Sequence, residues 1–304
     1  MGEIITCSVY QTEAWKNARE ISGAKAVEVK EGSSKINAFE KEKKISFFGK
    51  KRILFAEGNP KANTDEEGIK ILKEFKAKSR EYFYGIIYPT VVSKREIFSK
   101  AGFWKVINNT VLIDLSKSEE ELWQGLEKKS ARWGAKFGEK KGLSAVEADS
   151  KELIEFYKIY KKTANKGGFE PESKRFVELL GNTEISRLFV VKYKNKVVAG
   201  GLVLIDRKNN YSVLNLTGST EEGLKMQAMP FLYWNIILFS KRENLRHLDL
   251  GGYDKEAKTG DKTYQINKFK ERFGGEIVEQ PIYSTNAIYP ILRILLRLKK
   301  RFFR

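Results

Sequence analysis

The chain has 304 residues, 41% of them hydrophobic, which suffices for about two domains and excludes a wholly disordered or fibrous protein. Its 57 Lys and Arg against 39 Asp and Glu give a net charge of +18, which predicts a polyanionic partner: nucleic acid, anionic lipid or a phosphorylated substrate. One Cys and one His are too few for a disulfide or a four-ligand zinc site, so no metal is expected. Cys7 is expected to be a reduced thiol, and no apolar run approaches the about 20 residues of a membrane span, which favours a cytoplasmic protein.

The N-terminal half reads as a helix, three strands, a second helix and a fourth strand. The predicted elements, in chain order, are a helix at 12–22, strands at 26–29, 45–48 and 53–57, a helix at 65–79 and a strand at 83–88. A short helix that ends on Gly102 follows them, as the glycine at a helix end indicates.

The C-terminal half repeats this order. Its predicted elements are a helix after Pro171, strands at 188–193, 197–205 and 211–217, an apolar helix at 229–241 and a strand at 245–250. Another short helix, ending near Gly274, corresponds to the one before Gly102. Between the halves we predict a strand at 110–115 and one helix that opens with a capping box at Ser116–Glu119 and runs to about Lys141.

A meander followed by a helix and a strand is typical of the GNAT-like acyltransferase fold. We therefore predict a mixed α+β protein with two tandem GNAT-like domains, each a mixed central sheet flanked by helices. The expected limits are 1–109 for the first domain, 110–280 for the second, and 281–304 for a C-terminal tail that packs on the first domain. The alternative is two unrelated α+β domains whose element order agrees by chance.

The segment 218–226 occupies the position of the coenzyme A pyrophosphate loop of this fold. Such a loop binds phosphate through glycine-rich backbone and a helix N-terminus. This segment has one glycine too few and carries Glu221 and Glu222 where the phosphates would lie. Because like charges repel, the sequence argues against a coenzyme A donor.

The second half resembles the FemABX family, whose members are aminoacyl-tRNA-dependent transferases that build the interpeptide bridges of peptidoglycan. The segments that carry the resemblance, in order, are 110–116, 119–122, 128–132, 155–160 with Thr163, 197–201, 248–252 and 269–276. The resemblance implies aminoacyl-tRNA as co-substrate without a further cofactor, and a peptidoglycan stem peptide as acceptor.

The resemblance implies that Lys270, in the pair Phe269-Lys270, is catalytic and that Phe269 contacts substrate. Oxyanion charge develops on the carbonyl oxygen when an amine attacks an aminoacyl ester. A cation fixed beside that oxygen stabilises the transition state more than the ground state. The alternative is one more solvated lysine on an amphipathic helix.

Further candidates for substrate binding come from helices and strand ends. Arg132 and Lys136 lie four residues apart, so one helix face could present both to phosphate, or both could simply be solvated. Asp249 and Tyr253 flank a diglycine at a strand end, where ligand groups are common, although Asp249 could instead cap a turn. In the family an Arg and a Tyr help to hold the acceptor on the helix after Pro171; that pair is not reproduced in register, and Arg175 is its candidate substitute.

The C-terminal tail combines cations with apolar residues and contains no acid from Ile288 to Arg304. A basic amphipathic helix of this kind lies on anionic bilayers, each surface cation contributing about 1 kcal/mol. We therefore expect peripheral contact with the inner membrane face. The alternative is that the apolar face packs back on the first domain.

The leading hypothesis is a monomeric aminoacyltransferase that moves an amino acid from aminoacyl-tRNA to the stem-peptide amine of lipid II or UDP-MurNAc-pentapeptide. Two polyanionic substrates would account for the basic charge. The alternatives are a GNAT-like N-acyltransferase that uses acyl-CoA or another acyl donor on a cell-envelope substrate, and a non-catalytic protein that binds nucleic acid or membrane.

Overall fold

The computed structural model describes residues 8–45 and 48–302, except the side chains of Asn182 and residues 299–302. Cys7 and part of the predicted strand 45–48 lie outside the described residues. The helices are α1 (Glu13–Ile21), α2 (Asp65–Lys78), α3 (Glu96–Lys100), α4 (Glu119–Gly125), α5 (Trp133–Lys140), α6 (Ser150–Gly167), α7 (Lys174–Leu180), α8 (Glu221–Lys225), α9 (Ala228–Arg242), α10 (Lys262–Glu271) and α11 (Ile288–Phe302). The strands are β1 (Lys25–Glu31), β2 (Ser34–Ile45), β3 (Gly49–Glu57), β4 (Gly85–Tyr88), β5 (Trp104–Val106), β6 (Asn109–Asp114), β7 (Ser144–Glu147), β8 (Asn182–Thr183), β9 (Ser186–Tyr193), β10 (Lys196–Asp206), β11 (Tyr211–Ser219), β12 (His247–Tyr253), β13 (Glu276–Glu279) and β14 (Ile282–Ser284).

The chain divides into two compact units, one formed by Met1–Asn108 with Glu279–Arg304 and the other by Asn109–Val278. The first unit has a six-stranded sheet in the order β1-β2-β3-β4-β14-β5. Strands β1 to β3 form an antiparallel meander, and β3 pairs with β4 in parallel as far as Glu57 and Tyr88, where both strands end. The segment predicted as a tail thus contributes β14, which lies between β4 and β5.

The second unit repeats this arrangement in a sheet ordered β13-β6-β12-β11-β10-β9-β7, with β8 paired to β9. Strands β9 to β11 form the predicted antiparallel meander, and β12 adds to β11 in parallel. The turn between β9 and β10 places Lys194 and Asn195 at positive φ, 48° and 62°, as a tight hairpin requires. The apolar helix α9 packs against this sheet and buries Leu232 and Ile236 in the core.

The single helix predicted from Ser116 to Lys141 is interrupted, which corrects the prediction. A capping box is present two residues later than predicted, at Ser118 and Glu121, but α4 ends at Gly125 and Leu126 is extended, with ψ of 137°. One π-helical turn, Lys128–Arg132, then leads into α5. The Glu127 backbone N–H donates to the Arg272 carbonyl at 2.8 Å, so a tertiary contact replaces the helical hydrogen bond.

The second predicted strand of the N-terminal half, 45–48, was misplaced. The structure has the twelve-residue strand β2 instead, which ends at Ile45. Its first half alternates inward residues such as Ile36 and Ala38 with partly exposed ones, whereas its second half is lysine-rich and solvated. The charged residues in the second half of β2 do not alternate with apolar ones, so the strand lacks the full alternating pattern that predicts β structure.

Gly200 in β10 offers a test of the packing in the second unit. A Cβ at this position would lie 2.6 Å from a ring carbon of Phe156 and 2.8 Å from the Phe189 carbonyl oxygen. We expect Gly200→Ala to lower the free energy of unfolding by about 1–3 kcal/mol, because the backbone cannot move away without breaking the ladder. Gly125→Ala is the control, since nothing lies within 4 Å of its Cβ position. Denaturant unfolding of both variants measures the difference, and equal stability would contradict this account.

None of the helices within the described ranges is both long enough and apolar enough to cross a bilayer.

Candidate active site

The neighbouring parallel strands β11 and β12 separate partway along their length. They pair only over Tyr211–Val213 and His247–Asp249, after which β11 continues to Ser219 and β12 to Tyr253. The pairing of β12 with β6 is also irregular between Asp249 and Gly252. Carboxyl ends of parallel strands that diverge leave a gap between them, and backbone groups in that gap are free to meet a ligand.

A cavity of about 660 Å³ occupies this gap, and we call it the splay cavity. Its lining residues come from β11, β12, α6, α8, α9, α10, the π-helical turn and the adjoining loops: Ser130, Ala131, Tyr160, Thr163, Phe169, Leu214, Asn215, Leu216, Thr217, Leu224, Gln227, Met229, Pro230, Tyr233, Leu250, Gly251, Gly252, Gln265, Ile266, Phe269, Lys270 and Arg272. Ten of these residues have apolar side chains, eight are neutral and polar, two are glycines and two are cations. The volume is in the usual range for a small-molecule site.

Lys270 is held at one wall of the splay cavity. Its side chain is only 9% exposed, and its Nζ donates a hydrogen bond of 2.8 Å to the carbonyl oxygen of Gly252. Burial lowers the pKa of Lys270 to about 8, although the nearby Asp249 charge acts in the opposite direction. The ammonium therefore dominates at neutral pH and lies where the strands have separated, beside a volume that a substrate can enter.

Asp249 lies beneath this wall and does not line the splay cavity, which corrects its prediction as a substrate contact. It is 1% exposed, and its carboxylate accepts hydrogen bonds from the Thr110 hydroxyl, the Tyr211 hydroxyl and, at 2.7 Å, the Gly251 backbone N–H. Burial raises the pKa of Asp249, and these three donors with the Lys270 charge oppose that shift. Asp249 thus fixes the turn at Gly251, and the carbonyl of the next residue, Gly252, accepts the hydrogen bond from Lys270.

An aromatic cluster fixes the position of Phe269. Its ring lies 5.1 Å from that of Tyr233 and 5.1 Å from that of Phe273, both in edge-to-face geometry. Both Phe269 and Tyr233 line the splay cavity, and Tyr233 is itself buried. The ring that precedes Lys270 in sequence therefore forms a rigid wall beside the ammonium.

The predicted phosphate contacts Arg132 and Lys136 face α4 instead of the splay cavity. The Arg132 guanidinium donates to the side chain and the backbone carbonyl of Gln124, at 2.7 and 2.6 Å, and to the Leu126 carbonyl. Lys136 Nζ lies 5.4 Å from the ring centre of Trp123. Arg132 thus stabilises the break after α4, which sequence reasoning could not anticipate because it expected one continuous helix.

The two remaining predicted contacts also lie outside the lining of the splay cavity. The Tyr253 hydroxyl donates to Glu271 at 2.6 Å, and this hydrogen bond raises the Tyr253 pKa. Arg175 is exposed on α7. Their predicted roles are therefore not supported by proximity to Lys270.

Sequence reasoning did not identify several residues that share the splay cavity with Lys270. Tyr160, Gln265 and Arg272 are examples. Tyr160 and Arg272 lie within segments that carry the family resemblance, which is the signal that could have selected them. Gln265 had no such signal, because only the folded helix α10 brings it beside β12.

A second cleft of about 480 Å³ lies next to the splay cavity, and Thr163 lines both. Three lysines at four-residue spacing on α6 form one side of it, and we call it the lysine cleft; they are Lys158, Lys162 and Lys166. Glu221 and Glu222 form the other side, and Glu221 is bound to Lys166 at 2.8 Å.

Two backbone N–H groups of the loop at 218–226 that a pyrophosphate site could use are already engaged. The Gly223 N–H is bonded to the Thr220 hydroxyl at 2.9 Å, and the Thr220 N–H to the Val198 carbonyl at 2.8 Å. A Cβ at Gly223 would lie 2.4 Å from the Val198 oxygen, so this glycine serves close packing of α8 on β10. The geometry agrees with the charge argument against coenzyme A.

Residues 125–265 match the family described as acetyltransferase (GNAT) domain. Among solved structures the chain is similar to FemX, with 14% identity over 96% of this chain and 95% of that one, and a TM-score of 0.73. It is similar to the C-terminal domain of a protein described as lysylphosphatidylglycerol synthetase from Agrobacterium fabrum (12% identity, 97% and 93% covered, TM-score 0.67). It is also similar to L-PGS from Bacillus licheniformis (12% identity, 100% and 99% covered, TM-score 0.59). No curated protein sequence matches the chain significantly.

At such low identity the structural likenesses establish the fold. The predicted mixed α/β architecture of two GNAT-like units, with its resemblance to FemABX proteins, is confirmed at that level. The match over 125–265 confirms the prediction of an acyltransferase domain, and this segment contains most of the splay cavity.

Proposed function

We propose that the protein transfers an aminoacyl group from aminoacyl-tRNA to the amine of a peptidoglycan stem peptide carried by a lipid or a nucleotide. The observation that carries this proposal is Lys270, a buried cation at the wall of a cavity between separated strands. FemX and the lysylphosphatidylglycerol synthetase domain share the fold, and the name of the second concerns aminoacylation of a lipid, which supports a cell-envelope acceptor.

The reaction requires only groups that the splay cavity can supply or that the substrates carry. The acceptor nitrogen attacks the ester carbonyl, a C–N bond forms, and the C–O bond to the tRNA ribose breaks. The nitrogen loses a proton and the departing ribose oxygen gains one. Lys270, as an ammonium, would donate a hydrogen bond to the carbonyl oxygen while it bears negative charge, which is the state that catalysis must stabilise.

The α6 side of the lysine cleft offers cations to a polyanionic donor. Lys158 and Lys162 lie about one helical turn apart on it, Lys166 one turn further is paired with Glu221, and Thr163 lines both this cleft and the splay cavity. A donor phosphate is therefore expected at Lys158 and Lys162. Glu221 and Glu222, together with the engaged N–H groups of Thr220 and Gly223, argue against an acyl-CoA donor with its pyrophosphate on the 218–226 loop.

The proposal is tested by incubating the full chain with a mixture of charged tRNAs and a lipid-linked muropeptide, and following the transfer of labelled amino acid. A parallel reaction receives acyl-CoA instead. Transfer from tRNA alone is the expected result. Absence of transfer from every charged tRNA would contradict the proposal, and transfer only from acyl-CoA would establish the alternative N-acyltransferase.

We further propose that α11 makes peripheral contact with an anionic membrane. Tyr289 and Leu292 pack inward, and the Tyr289 ring lies 5.2 Å from that of Tyr84, so one part of the helix is anchored on the first unit. A second apolar stripe is left exposed, at Ile291, Ile294, Leu295 and Leu298. Arg293 and Arg297 accompany it, and α11 has no acidic residue. One part of α11 thus packs on the first unit, and the exposed stripe is the part that would contact a membrane.

The exposed stripe provides the membrane test. We expect the triple variant Ile291→Ser, Leu295→Ser, Leu298→Ser to reduce co-sedimentation with phosphatidylglycerol vesicles at least about 10-fold, because each buried apolar side chain contributes to insertion. The three side chains are 42–52% exposed, so folding should persist. Val92→Ser, on an exposed residue of the same unit, is the control. Unchanged co-sedimentation of the triple variant would refute the membrane contact.

A further inference from the structure

We propose that the splay cavity selects an acyl donor with a bulky, uncharged apolar side chain, such as a leucyl group, over small or charged ones. The inference rests on the proposed function, because it assigns the transferred group to the volume beside Lys270. It adds the chemical class of that group, which neither the fold nor the likeness to FemX determines.

The charges of the lining residues disfavour a cationic donor side chain. Lys270 and Arg272 are the ionisable cations among them, and none of the lining residues is an Asp or Glu. The nearby carboxylates are engaged elsewhere: Asp249 with its three donors below the wall, and Glu271 with Tyr253 and Lys268. A lysyl or arginyl side chain would enter the splay cavity without a partner and beside two like charges, at a large cost.

The rim of the splay cavity favours an apolar donor side chain. Three large apolar side chains that line it are more than half exposed: Phe169 at 52%, Leu224 at 55% and Ile266 at 51%. They come from three different segments, the loop after α6, α8 and α10, and we call them the apolar rim. Exposed apolar side chains scattered singly need no explanation, but three that converge on one cavity mark a site for an apolar ligand.

The interior continues this surface towards Lys270. Leu214 and Leu216 of β11 are buried at 6% and 8% exposure, and Met229 and Leu250 are further apolar lining residues, alongside neutral polar ones such as Asn215 and Gln265. An acyl carbonyl held at Lys270 Nζ would therefore extend its side chain along apolar walls towards the apolar rim. An alanyl side chain would leave most of this surface uncovered, whereas a leucyl side chain would cover more of it.

The probes are stable 3′-amino-3′-deoxyadenosine amides of leucine, alanine and lysine, titrated into the full chain with calorimetric detection. We expect the leucyl amide to bind about 10–100-fold more tightly than the alanyl amide, as added apolar carbons in an apolar pocket do, and the lysyl amide to bind most weakly. The matching charged tRNAs and octanoyl-CoA are then compared in transfer assays with a lipid-linked muropeptide, which separates a tRNA carrier from a coenzyme A carrier.

Two variants of the apolar rim sharpen the test. Leu224→Ser should lower the affinity for the leucyl amide several-fold, and Ile266→Glu should raise the affinity for the lysyl amide relative to the leucyl one, because it supplies the missing carboxylate. Both residues are more than half exposed, so neither change should unfold the protein. Ile154→Ser is the control: Ile154 is exposed in the same unit but lies outside the splay cavity.

The outcomes separate the two proposals. If tRNA-dependent transfer occurs but alanyl or lysyl donors equal or exceed leucyl donors, the selectivity inference is wrong and the proposed function stands. If octanoyl-CoA is used and no charged tRNA is, the apolar selection is supported and the tRNA carrier is refuted. If no amide binds and no donor is used, both proposals fail.

Discussion

Replacing Lys270 by alanine is expected to lower kcat for aminoacyl transfer by about 10²–10³-fold, the usual effect of removing one oxyanion-stabilising donor. The reason is geometric as well as electrostatic, because Lys270 Nζ is held by Gly252 at 2.8 Å and cannot be replaced by water with the same position or charge. KM should change much less than kcat, since the hydrogen bond strengthens only as negative charge develops. Single-turnover transfer from a charged tRNA measures the effect.

Lys268 supplies a matched control on the same helix. It is 42% exposed by side chain and binds Glu271 at 2.7 Å, away from the splay cavity lining. Lys268→Ala should retain nearly full activity. Loss of activity in both variants would indicate a general effect of charge on α10, and full activity in Lys270→Ala would refute the catalytic role and favour a non-catalytic binding protein.

The pH dependence follows from the Lys270 pKa of about 8. If the ammonium is the active form, kcat falls as the pH rises through about 8, because the cation is lost. If the neutral amine acted as a base, kcat would instead rise through the same range. Lys270→Arg distinguishes the two cases, because arginine stays charged throughout: it should remove the descending limb while its different shape lowers the rate.

Much of the fold could be predicted because local signals agreed with the final structure. The turns at Lys194-Asn195 and 206–210 separate β9, β10 and β11 as their sequences indicate, and α4 begins with a capping box two residues after the predicted one. Strand β14 was missed because it has three residues and pairs with β4, so that Tyr283 lies opposite Ile87, almost two hundred positions earlier. The break after Gly125 was missed for the same kind of reason, since the Arg272 carbonyl that accepts from the Glu127 N–H lies in a distant part of the chain.

The candidate site was less accessible to sequence reasoning. Lys270 was selected by resemblance alone, since its own helix reads as an ordinary basic amphipathic one. The separation of β11 from β12 is a property of pairing and has no signature in either strand. Asp249 was among the predicted candidates. Its hydrogen-bond partners Thr110 and Tyr211 lie 139 and 38 positions away in the sequence, so the residues next to Asp249 in the chain could not predict its burial.

Asp249→Asn is expected to move the descending limb of the kcat profile to lower pH. The Asp249 charge favours the ammonium form of Lys270, and its removal leaves burial unopposed, so the Lys270 pKa should fall below about 8. Asparagine keeps the size of the side chain and one oxygen for the Gly251 N–H and the Thr110 hydroxyl, while its NH2 group takes the place of the oxygen that accepts from Tyr211, so the Tyr211 hydroxyl must turn to accept instead. Asp249→Ala removes the hydrogen bonds as well, and should destabilise the protein by about 1–3 kcal/mol and misplace Lys270.

Tyr211→Phe is the matched control for this prediction. It removes one hydrogen bond to Asp249 but leaves the carboxylate in place, so the descending limb should stay closer to the wild-type position than in Asp249→Asn. The measurement is kcat against pH from 6 to 10 for the three proteins, with thermal unfolding as a check on folding. An unchanged limb in Asp249→Asn would mean that Asp249 only supports the turn. A shift in that variant alone would show that a residue outside the splay cavity sets the pH range in which Lys270 can act, and so would identify Asp249 as a positioning residue.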